Sequence, residues 1–306
     1  MARRRKVYPG ILPRHFHNEN IDMKRIALLC AALAVALPAA AQDLGPTLTK
    51  IRNAKEIVLG YRESTVPFSF TGNDKQPAGY SIDVCKAVVA SLQEQLKLPA
   101  LPIRWVAVTA ESRFPAVAQS RVDLECGSST MTFARFAEVD FSAPIFIEGG
   151  SVLVRADSNL KRIADLSGKK VAVGAGTTAV QALQAKLKAS LISAEIVTVK
   201  NAEEALEALD AGKVDGYAND RILLVGSVVT GRDAKKYAIT EDDYSYEPYG
   251  LAMRRNDTAF RVAVNRALAR LYRGDGMVEI YKRWFGAFGP PGTLLQAMYY
   301  LNALPE

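Results

Sequence analysis

Three arginines have the side-chain chemistry and the positions needed to bind a small anion. Arg62, Arg113 and Arg135 each follow a predicted strand, either in a loop or where the next helix begins. In open α/β sheets, ligands bind outside the carboxyl ends of the strands. A guanidinium group donates two parallel hydrogen bonds, which match the geometry of a carboxylate. Each arginine alone is more typical of a charged surface residue, so only their shared position favours an anion site.

Hydroxyl groups and one carboxylate are predicted near the same strand ends. Ser128 and Thr130 follow one strand. Thr177 and Thr178 follow another strand and open a helix, whose free N–H groups favour an anion, although an ordinary helix cap explains this pair equally well. Asp220 closes a strand and is suited to accept a ligand ammonium, but alone such a residue is more often a turn or helix cap. Together these residues indicate a small anionic or zwitterionic ligand.

Residues 1–41 have the layout of a secretory signal peptide. A basic segment at Met23–Arg25 precedes a short apolar run, and Ala39–Ala41 provide the small residues of a cleavage site. The apolar run is shorter than the roughly 20 residues that span a bilayer. We therefore expect translation to start at Met23, cleavage before Gln42 and a mature chain in the periplasm. A lipoprotein anchored through Cys30 is the competing prediction.

Removal of this leader changes both the charge and the available chemistry. Residues 1–41 hold seven basic and two acidic residues, so the formal net charge falls by 5, from +7 to +2. This small charge does not favour a nucleic-acid partner, which needs a basic patch. Both histidines, His15 and His17, leave with the leader, which excludes histidine-based triads and histidine-ligated metals. We expect no cofactor. Cys85 and Cys126 either pair in an oxidising periplasm or remain two buried thiols.

Short apolar strands alternate with amphipathic helices along the mature chain. This alternation predicts an α/β fold with mostly parallel sheets. The runs Ile57–Gly60 and Val152–Val154 predict two of the strands. Ser81 is predicted to cap a helix over residues 82–98, and Asn201 with Glu204 is predicted to cap a later one.

Six segments resemble the motifs of one protein family. They are Tyr61–Phe70, Gly79–Ser81, Asp123–Ser128, Gly176–Thr178, Tyr249–Gly250 and Arg283–Phe285. In this order they resemble the family-3 periplasmic solute-binding proteins, and in particular the glutamate/aspartate-binding proteins of ABC importers. The likeness runs from about residue 47 to residue 290, which is nearly the whole mature chain.

The resemblance implies the type II periplasmic binding protein fold. In this fold two α/β lobes are joined by a double hinge, and the ligand is clamped in the cleft between them. The first lobe would comprise residues 42–147 and 249–306, and the second lobe residues 148–248. We expect the tail from residue 289, which ends in large apolar residues, to pack on the first lobe.

The resemblance also implies how the backbone groups of an amino acid are held. Arg135 would bind the α-carboxylate, helped by Thr130 and Thr178. Ser128 and Asp220 would receive the α-ammonium.

The other two arginines bear on the ligand side chain. The resemblance implies that Arg62 and Arg113 face it, and two unpaired buried arginines favour an acidic side chain. Two polar residues of the family's glutamate site are replaced here, by Ala110 and Ala202. These losses leave the α-amino-acid contacts intact and leave the side-chain preference open.

The implied function is the substrate-binding component of an amino-acid ABC transporter. It would be a monomer that captures glutamate or aspartate by lobe closure and delivers it to the membrane permease subunits. The alternative is an enzyme on the same fold, such as a cyclohexadienyl dehydratase, which would need a positioned acid or base with a shifted pKa. A sensor module is a third class. The chain shows no carboxylate pair of clear spacing, so we expect a binding protein without catalytic residues.

Overall fold

A computed structural model describes residues 44–229 and 232–306 of the chain. The predicted leader, its cleavage site and the alternative anchor at Cys30 lie outside these residues. No helix in the described part of the chain is long and apolar enough to cross a membrane.

Strands form where short runs of branched and aromatic residues occur, because such side chains pack well on a pleated surface. In chain order the strands are β1 (Ile57–Tyr61), β2 (Ser64–Thr65), β3 (Ser69–Thr71), β4 (Pro77–Ala78), β5 (Ile103–Ala107), β6 (Leu124–Glu125), β7 (Asp140–Phe141), β8 (Phe146–Arg155), β9 (Lys170–Gly174), β10 (Glu195–Val199), β11 (Gly216–Asp220), β12 (Tyr237–Ile239), β13 (Ser245–Tyr249) and β14 (Ala252–Met253).

Helices form where apolar residues recur every three or four positions, because this spacing gives the helix one buried face. In chain order the helices are α1 (Gly45–Ala54), α2 (Tyr80–Gln95), α3 (Arg113–Ala118), α4 (Phe133–Phe136), α5 (Ala179–Ala189), α6 (Ala202–Asp210), α7 (Arg221–Val229), α8 (Thr258–Arg273), α9 (Gly276–Phe285) and α10 (Thr293–Leu301). Short 3₁₀ helices cover Ala156–Ser158, Ile163–Leu166, Ala234–Lys236 and Gly286–Phe288.

The first lobe is built on a five-stranded sheet with the order β5-β1-β6-β14-β7. Strand β1 pairs in parallel with β5 and β6, whereas β14 runs antiparallel to β6 and β7. Helices α1, α2 and α8 pack together, and the residues they bury join those of β1 in one core cluster. The strand residues Ile57, Val58 and Leu59 are all buried, as expected for a parallel strand covered on both faces.

The second lobe is built on a separate sheet with the order β10-β9-β11-β8-β12, and β13 also pairs with β8. Strands β9, β10 and β11 are parallel, so their carboxyl ends lie at the same edge. Strand β8 runs antiparallel to β11, β12 and β13. Helices α5 and α6 contribute to the two core clusters of this lobe.

Strands β8 and β13 lie where the chain passes between the lobes. Their antiparallel register places Ile147 opposite Pro248 and Glu148 opposite Glu247. The two predicted lobe boundaries, after Ile147 and after Pro248, are therefore neighbours across one strand pair. An antiparallel pair at this position gives the molecule two adjacent hinge strands.

A disulfide joins Cys85 and Cys126 inside the first lobe, with an S–S distance of 2.11 Å. Cys85 lies on the buried face of α2, and Cys126 directly follows β6. The structure therefore contains the bridge and not the alternative of two thiols. The bridge ties the helix that covers the sheet to the start of the loop that carries Ser128.

Helix α2 begins and ends earlier than the predicted range, 82–98. Its N-cap is Gly79, which has a φ angle of 132°, and a Cβ at this residue would collide with the carbonyl group of Phe68. Ser81 consequently lies inside the first turn, where its buried hydroxyl has no hydrogen-bond partner among the described residues. The prediction that Ser81 caps this helix is wrong, because the entry into the helix requires a backbone angle that glycine adopts readily.

The C-terminal tail packs on the first lobe, as expected. Leu295, Met298 and Tyr299 of α10 are buried in the same core cluster as β1 and α2. The hydroxyl oxygens of Tyr299 and Tyr80 are 2.9 Å apart. Tyr80 also donates a hydrogen bond to the carbonyl oxygen of Ile145, immediately before β8, at 2.7 Å. The tail therefore supports the residues from which the first hinge strand begins.

Candidate ligand-binding cleft

A single cleft contains all eight residues that the sequence indicated for binding. Five come from the first lobe and three from the second. They are Arg62, Arg113, Ser128, Thr130 and Arg135 from the first lobe, and Thr177, Thr178 and Asp220 from the second. Ala110 and Ala202, which replace polar residues of the resembled site, also line this cleft.

The sheets explain why these side chains meet. Arg62 directly follows β1, and Asp220 is the last residue of β11. Ser128 comes shortly after β6, whereas Thr178 lies between β9 and the start of α5. Parallel strands end at the same edge of their sheet, and the two edges face each other across the cleft. Residues distant in sequence are thereby brought to one place, as in other open α/β sheets.

The three arginines form a cationic cluster without an anionic partner. Among the described residues, Arg62, Arg113 and Arg135 have no carboxylate oxygen within the 4.0 Å of an ion pair. Arg113 as a whole residue is 3% exposed, and its Nε has no hydrogen-bond partner in the described part of the chain. Arg135 donates one hydrogen bond, to the carbonyl oxygen of Thr130 at 2.8 Å. The guanidinium carbons of Arg113 and Arg135 lie 4.7 and 5.1 Å from the ring centre of Phe114.

Burial and mutual repulsion perturb the ionisation of this cluster. Burial, followed by the charge of Arg113, lowers the pKa of Arg62 to about 10. The same two causes, in the same order, lower the pKa of Arg135 to about 10. Burial also lowers the pKa of Arg113. With a pKa of about 10, Arg62 and Arg135 both remain charged at neutral pH. The cleft therefore holds positive charge that an anionic ligand would neutralise.

A buried carboxylate that the sequence reasoning missed lies behind two of these arginines. Glu125 is fully buried, and one of its oxygens accepts a hydrogen bond from the Ser129 hydroxyl at 2.7 Å. Its other oxygen has no hydrogen-bond partner among the described residues. The Glu125 charge raises the pKa of both Arg62 and Arg113, which partly offsets the effect of their burial. It therefore reduces the excess positive charge without forming an ion pair.

Asp220 is a buried carboxyl on the second-lobe side of the cleft. Its carboxylate accepts a hydrogen bond from the Tyr249 hydroxyl. Burial, followed by the charge of Glu247, raises the pKa of Asp220 to about 8. Burial also raises the pKa of Glu148 to about 7. A cationic group placed beside Asp220 would be stabilised, and it would favour the ionised form of this carboxyl. In the described residues, no group of His, Cys, Asp and Glu has an arrangement that could hold a metal ion.

The hydroxyl groups of Thr130 and Thr178 are already committed as donors. Thr130 donates to Glu247 Oε2 at 2.6 Å, and Thr178 donates to the same oxygen at 2.9 Å. Each hydroxyl has only one hydrogen, so neither can also donate it to a ligand carboxylate. A carboxylate bound beside these threonines must take its hydrogen bonds from other donors, such as Arg135 or backbone N–H groups.

The lobes also touch through a helix. Helix α7 of the second lobe contacts β2 of the first. Gly226 of this helix packs so closely on Val66 that a Cβ at the glycine would collide with the Val66 carbonyl oxygen. Glycine therefore allows an approach of the two backbones that no larger residue permits.

The most informative residues missed by the sequence reasoning are the buried acids. Glu125 stands between Leu124 and Cys126 in a short apolar segment, and Glu247 stands in the segment that returns to the first lobe. A charged residue in an otherwise buried strand is rarely tolerated without a partner. That rule was an available signal for Glu125, although it identifies no partner. It gives no signal for Glu247, because the neighbouring Tyr246 of the same strand is exposed.

Comparison with known proteins identifies one family. The family model described as bacterial extracellular solute-binding proteins, family 3, matches residues 57–287. An L-glutamate/L-aspartate-binding protein of Pseudomonas aeruginosa is 34% identical over 272 residues, covering 88% of this chain and 90% of the relative. A glutamate/aspartate import solute-binding protein of Escherichia coli is 30% identical over 271 residues, with the same two coverages.

A solved structure extends the comparison to the fold. It is an ancestral amino-acid-binding protein described as a precursor of cyclohexadienyl dehydratase. It matches this chain with a TM-score of 0.68 and 28% identity, covering 78% of this chain and 100% of the other. The predicted two-lobed fold is confirmed by this similarity and by the two larger sheets, which are separate from each other.

Proposed function

Because the chain belongs to the bacterial extracellular solute-binding proteins of family 3, we propose that it is the substrate-binding component of an amino-acid ABC importer. It captures L-glutamate or L-aspartate by closing its two lobes. It then delivers the amino acid to the permease subunits in the inner membrane. It acts as a monomer in the periplasm after removal of the leader, without a cofactor.

The main evidence for the proposed ligand is the cluster of three arginines. Among the described residues, Arg62, Arg113 and Arg135 have no carboxylate within ion-pair distance. Keeping several buried cations unpaired is costly. An acidic amino acid supplies two carboxylates, one on the backbone and one on the side chain. A neutral amino acid supplies only one and would leave the excess positive charge uncompensated.

The geometry supports different contacts for the three charged groups of the ligand. Arg135 binds the α-carboxylate, and Asp220 with Ser128 receives the α-ammonium. Arg62 and Arg113 bind the side-chain carboxylate. Glutamate and aspartate are also the ligands that the names of the compared relatives state.

Calorimetric titration with the twenty amino acids tests this proposal. Hydrogen bonds to charged groups contribute about 1.5–3 kcal/mol each, so glutamate should bind at least about tenfold more tightly than glutamine. Arg62→Ala should narrow this gap, because it removes one side-chain contact. Arg135→Ala should abolish binding of every amino acid. Arg104→Ala is the matched control, since Arg104 is exposed on β5 and pairs with Glu56.

The titration has clear contrary outcomes. Tighter binding of a neutral or basic amino acid than of either acidic one would overturn the proposed ligand. An unchanged preference for glutamate over glutamine in Arg62→Ala would remove that arginine from the side-chain contacts.

A dehydratase activity is the second candidate, and one observation favours it. An enzyme on this fold needs an acid with a shifted pKa, and burial raises the pKa of Asp220 in the cleft to about 8. A turnover assay with prephenate and arogenate tests this function. Product formation that Asp220→Asn abolishes would establish it, whereas binding without turnover supports the transport function.

A further inference from the structure

Glu247 connects groups from both lobes. It lies on the hinge strand β13 and its side chain is buried, with the residue only 2% exposed. A single oxygen, Oε2, accepts hydrogen bonds from Thr130 of the first lobe at 2.6 Å and from Thr178 of the second lobe at 2.9 Å. The two hydroxyl oxygens are 3.5 Å apart.

Glu247 lies one residue before the predicted boundary at Pro248, and backbone bonds hold this part of the strand beside the first lobe. Met131 donates its N–H to the carbonyl of Pro248 at 2.8 Å, and Gly250 donates its N–H to the carbonyl of Ser129 at 3.0 Å. The loop that carries Thr130 is thus tied to the hinge strand on the C-terminal side of Glu247. The bond from Thr178, at the start of α5, is the one that joins the second lobe to this assembly.

The interaction has the chemistry of a strong contact. A hydroxyl hydrogen bond to a buried carboxylate is charge-assisted, and losing one donor leaves part of a buried charge unsatisfied. Glu247 also raises the pKa of Arg135, which keeps this arginine charged for its ligand. The Glu247 side chain therefore affects both the contact between the lobes and the charge of Arg135.

We propose that Glu247 is a positioning residue that latches the second lobe onto the first through the hydroxyl of Thr178. The latch stabilises the closed arrangement and slows release of the ligand. The proposal rests on the proposed function for the closing motion, but it does not depend on which amino acid binds.

Paired substitutions at Thr178 separate the hydroxyl from the methyl group. Thr178→Val keeps the shape and removes the donor, whereas Thr178→Ser keeps the donor and removes the methyl group. Thr240→Val is the control for a merely structural role. The Thr240 hydroxyl is buried within the second lobe, 2.9 Å from the Ser151 hydroxyl, and does not reach the first lobe.

Stopped-flow kinetics with L-glutamate measures the latch on the full mature chain. Loss of a charge-assisted hydrogen bond should raise the dissociation rate of Thr178→Val about tenfold or more, with the association rate unchanged. Glu247→Gln removes the charge of the acceptor without touching the cleft lining, so it should also raise the dissociation rate. Thr178→Ser should release L-glutamate more slowly than Thr178→Val. Thr240→Val should lower the melting temperature and leave both rates unchanged. A Thr178→Val rate equal to that of the original protein, or a Thr178→Ser rate equally fast, overturns the latch.

Small-angle scattering without ligand separates the latch from the proposed function. If the original protein binds no L-glutamate, the proposed function fails and scattering alone decides the latch. Thr178→Val should then have a larger radius of gyration than the original protein and than Thr178→Ser. Equal radii for all three proteins refute the latch.

Discussion

Asp220 should release a proton when an amino acid binds. Burial and the charge of Glu247 raise its pKa from the ordinary 3.8 to about 8, and Glu148 acts in the same direction. The Tyr249 hydroxyl bond and the charge of Arg135 oppose this shift only in part. The carboxyl is therefore mainly protonated at neutral pH. An ammonium group bound beside it favours the ionised form, so binding must expel the proton.

The size of the effect follows from the pKa. At pH 7 a group with a pKa of about 8 is about nine-tenths protonated, so each bound amino acid should release about 0.9 proton. Affinity should then rise by up to about tenfold per pH unit between pH 6 and 8 and level off above pH 8. The same group affects stability in the opposite sense. Because its pKa is raised on folding, its contribution is fully present below pH 3.8 and is lost as the pH rises toward 8.

Calorimetry in buffers of different ionisation enthalpy counts the protons released. The binding enthalpy of L-glutamate at pH 7 should vary linearly with the buffer enthalpy, with a slope of about one proton. Asp220→Asn should bind more weakly and give a slope near zero. Glu148→Gln is the control for the second raised carboxyl and should retain the slope. A slope near zero in the original protein would refute the role assigned to Asp220.

Two further substitutions test the lobe contact and the charge balance of the cleft. Gly226→Ala should lower ligand affinity at least about tenfold, because its Cβ would clash with Val66 in the closed arrangement. Calorimetry measures this affinity. An affinity equal to that of the original protein would show that the contact is unnecessary for binding. Glu125→Gln should increase the preference for glutamate over glutamine about tenfold, because it removes a negative charge near Arg62 and Arg113. Parallel titrations with both ligands measure this preference. An unchanged ratio of the two dissociation constants would contradict the electrostatic role of Glu125.

Individual elements of the fold could be predicted because their signals are local. The strand at Ile57–Leu59 is a continuous apolar run, which is typical of a parallel strand buried on both faces. Asn201 accepts a hydrogen bond from the backbone of Glu204 at the start of α6, as its spacing predicts. The family resemblance is confirmed by the match over residues 57–287. The strand and the cap each depend on a few neighbouring residues, whereas the two-lobed fold was predicted from the resemblance, which spans most of the chain.

Candidate site residues could be predicted only where a residue of suitable chemistry stands at the end of a predicted strand. The arginines and threonines stand at strand ends, and strand ends converge. The roles of Glu125 and Glu247 depend on partners far away in sequence, such as Thr130, which lies 117 residues from Glu247. Ser81 failed as a cap for a similar reason. Gly79, two residues earlier, is the cap, and its φ angle of 132° and its close approach to the Phe68 carbonyl both require glycine.

The packing of the tail has a consequence for the order in which the chain folds. The second lobe is continuous in sequence, so a growing chain holds all of its core before the tail is made. The first lobe is different, because Tyr80 meets Tyr299, 219 residues later. Contacts of such sequence separation form slowly. The first lobe therefore stays incomplete longer than the second, and the nine residues of α10 determine when its core can close.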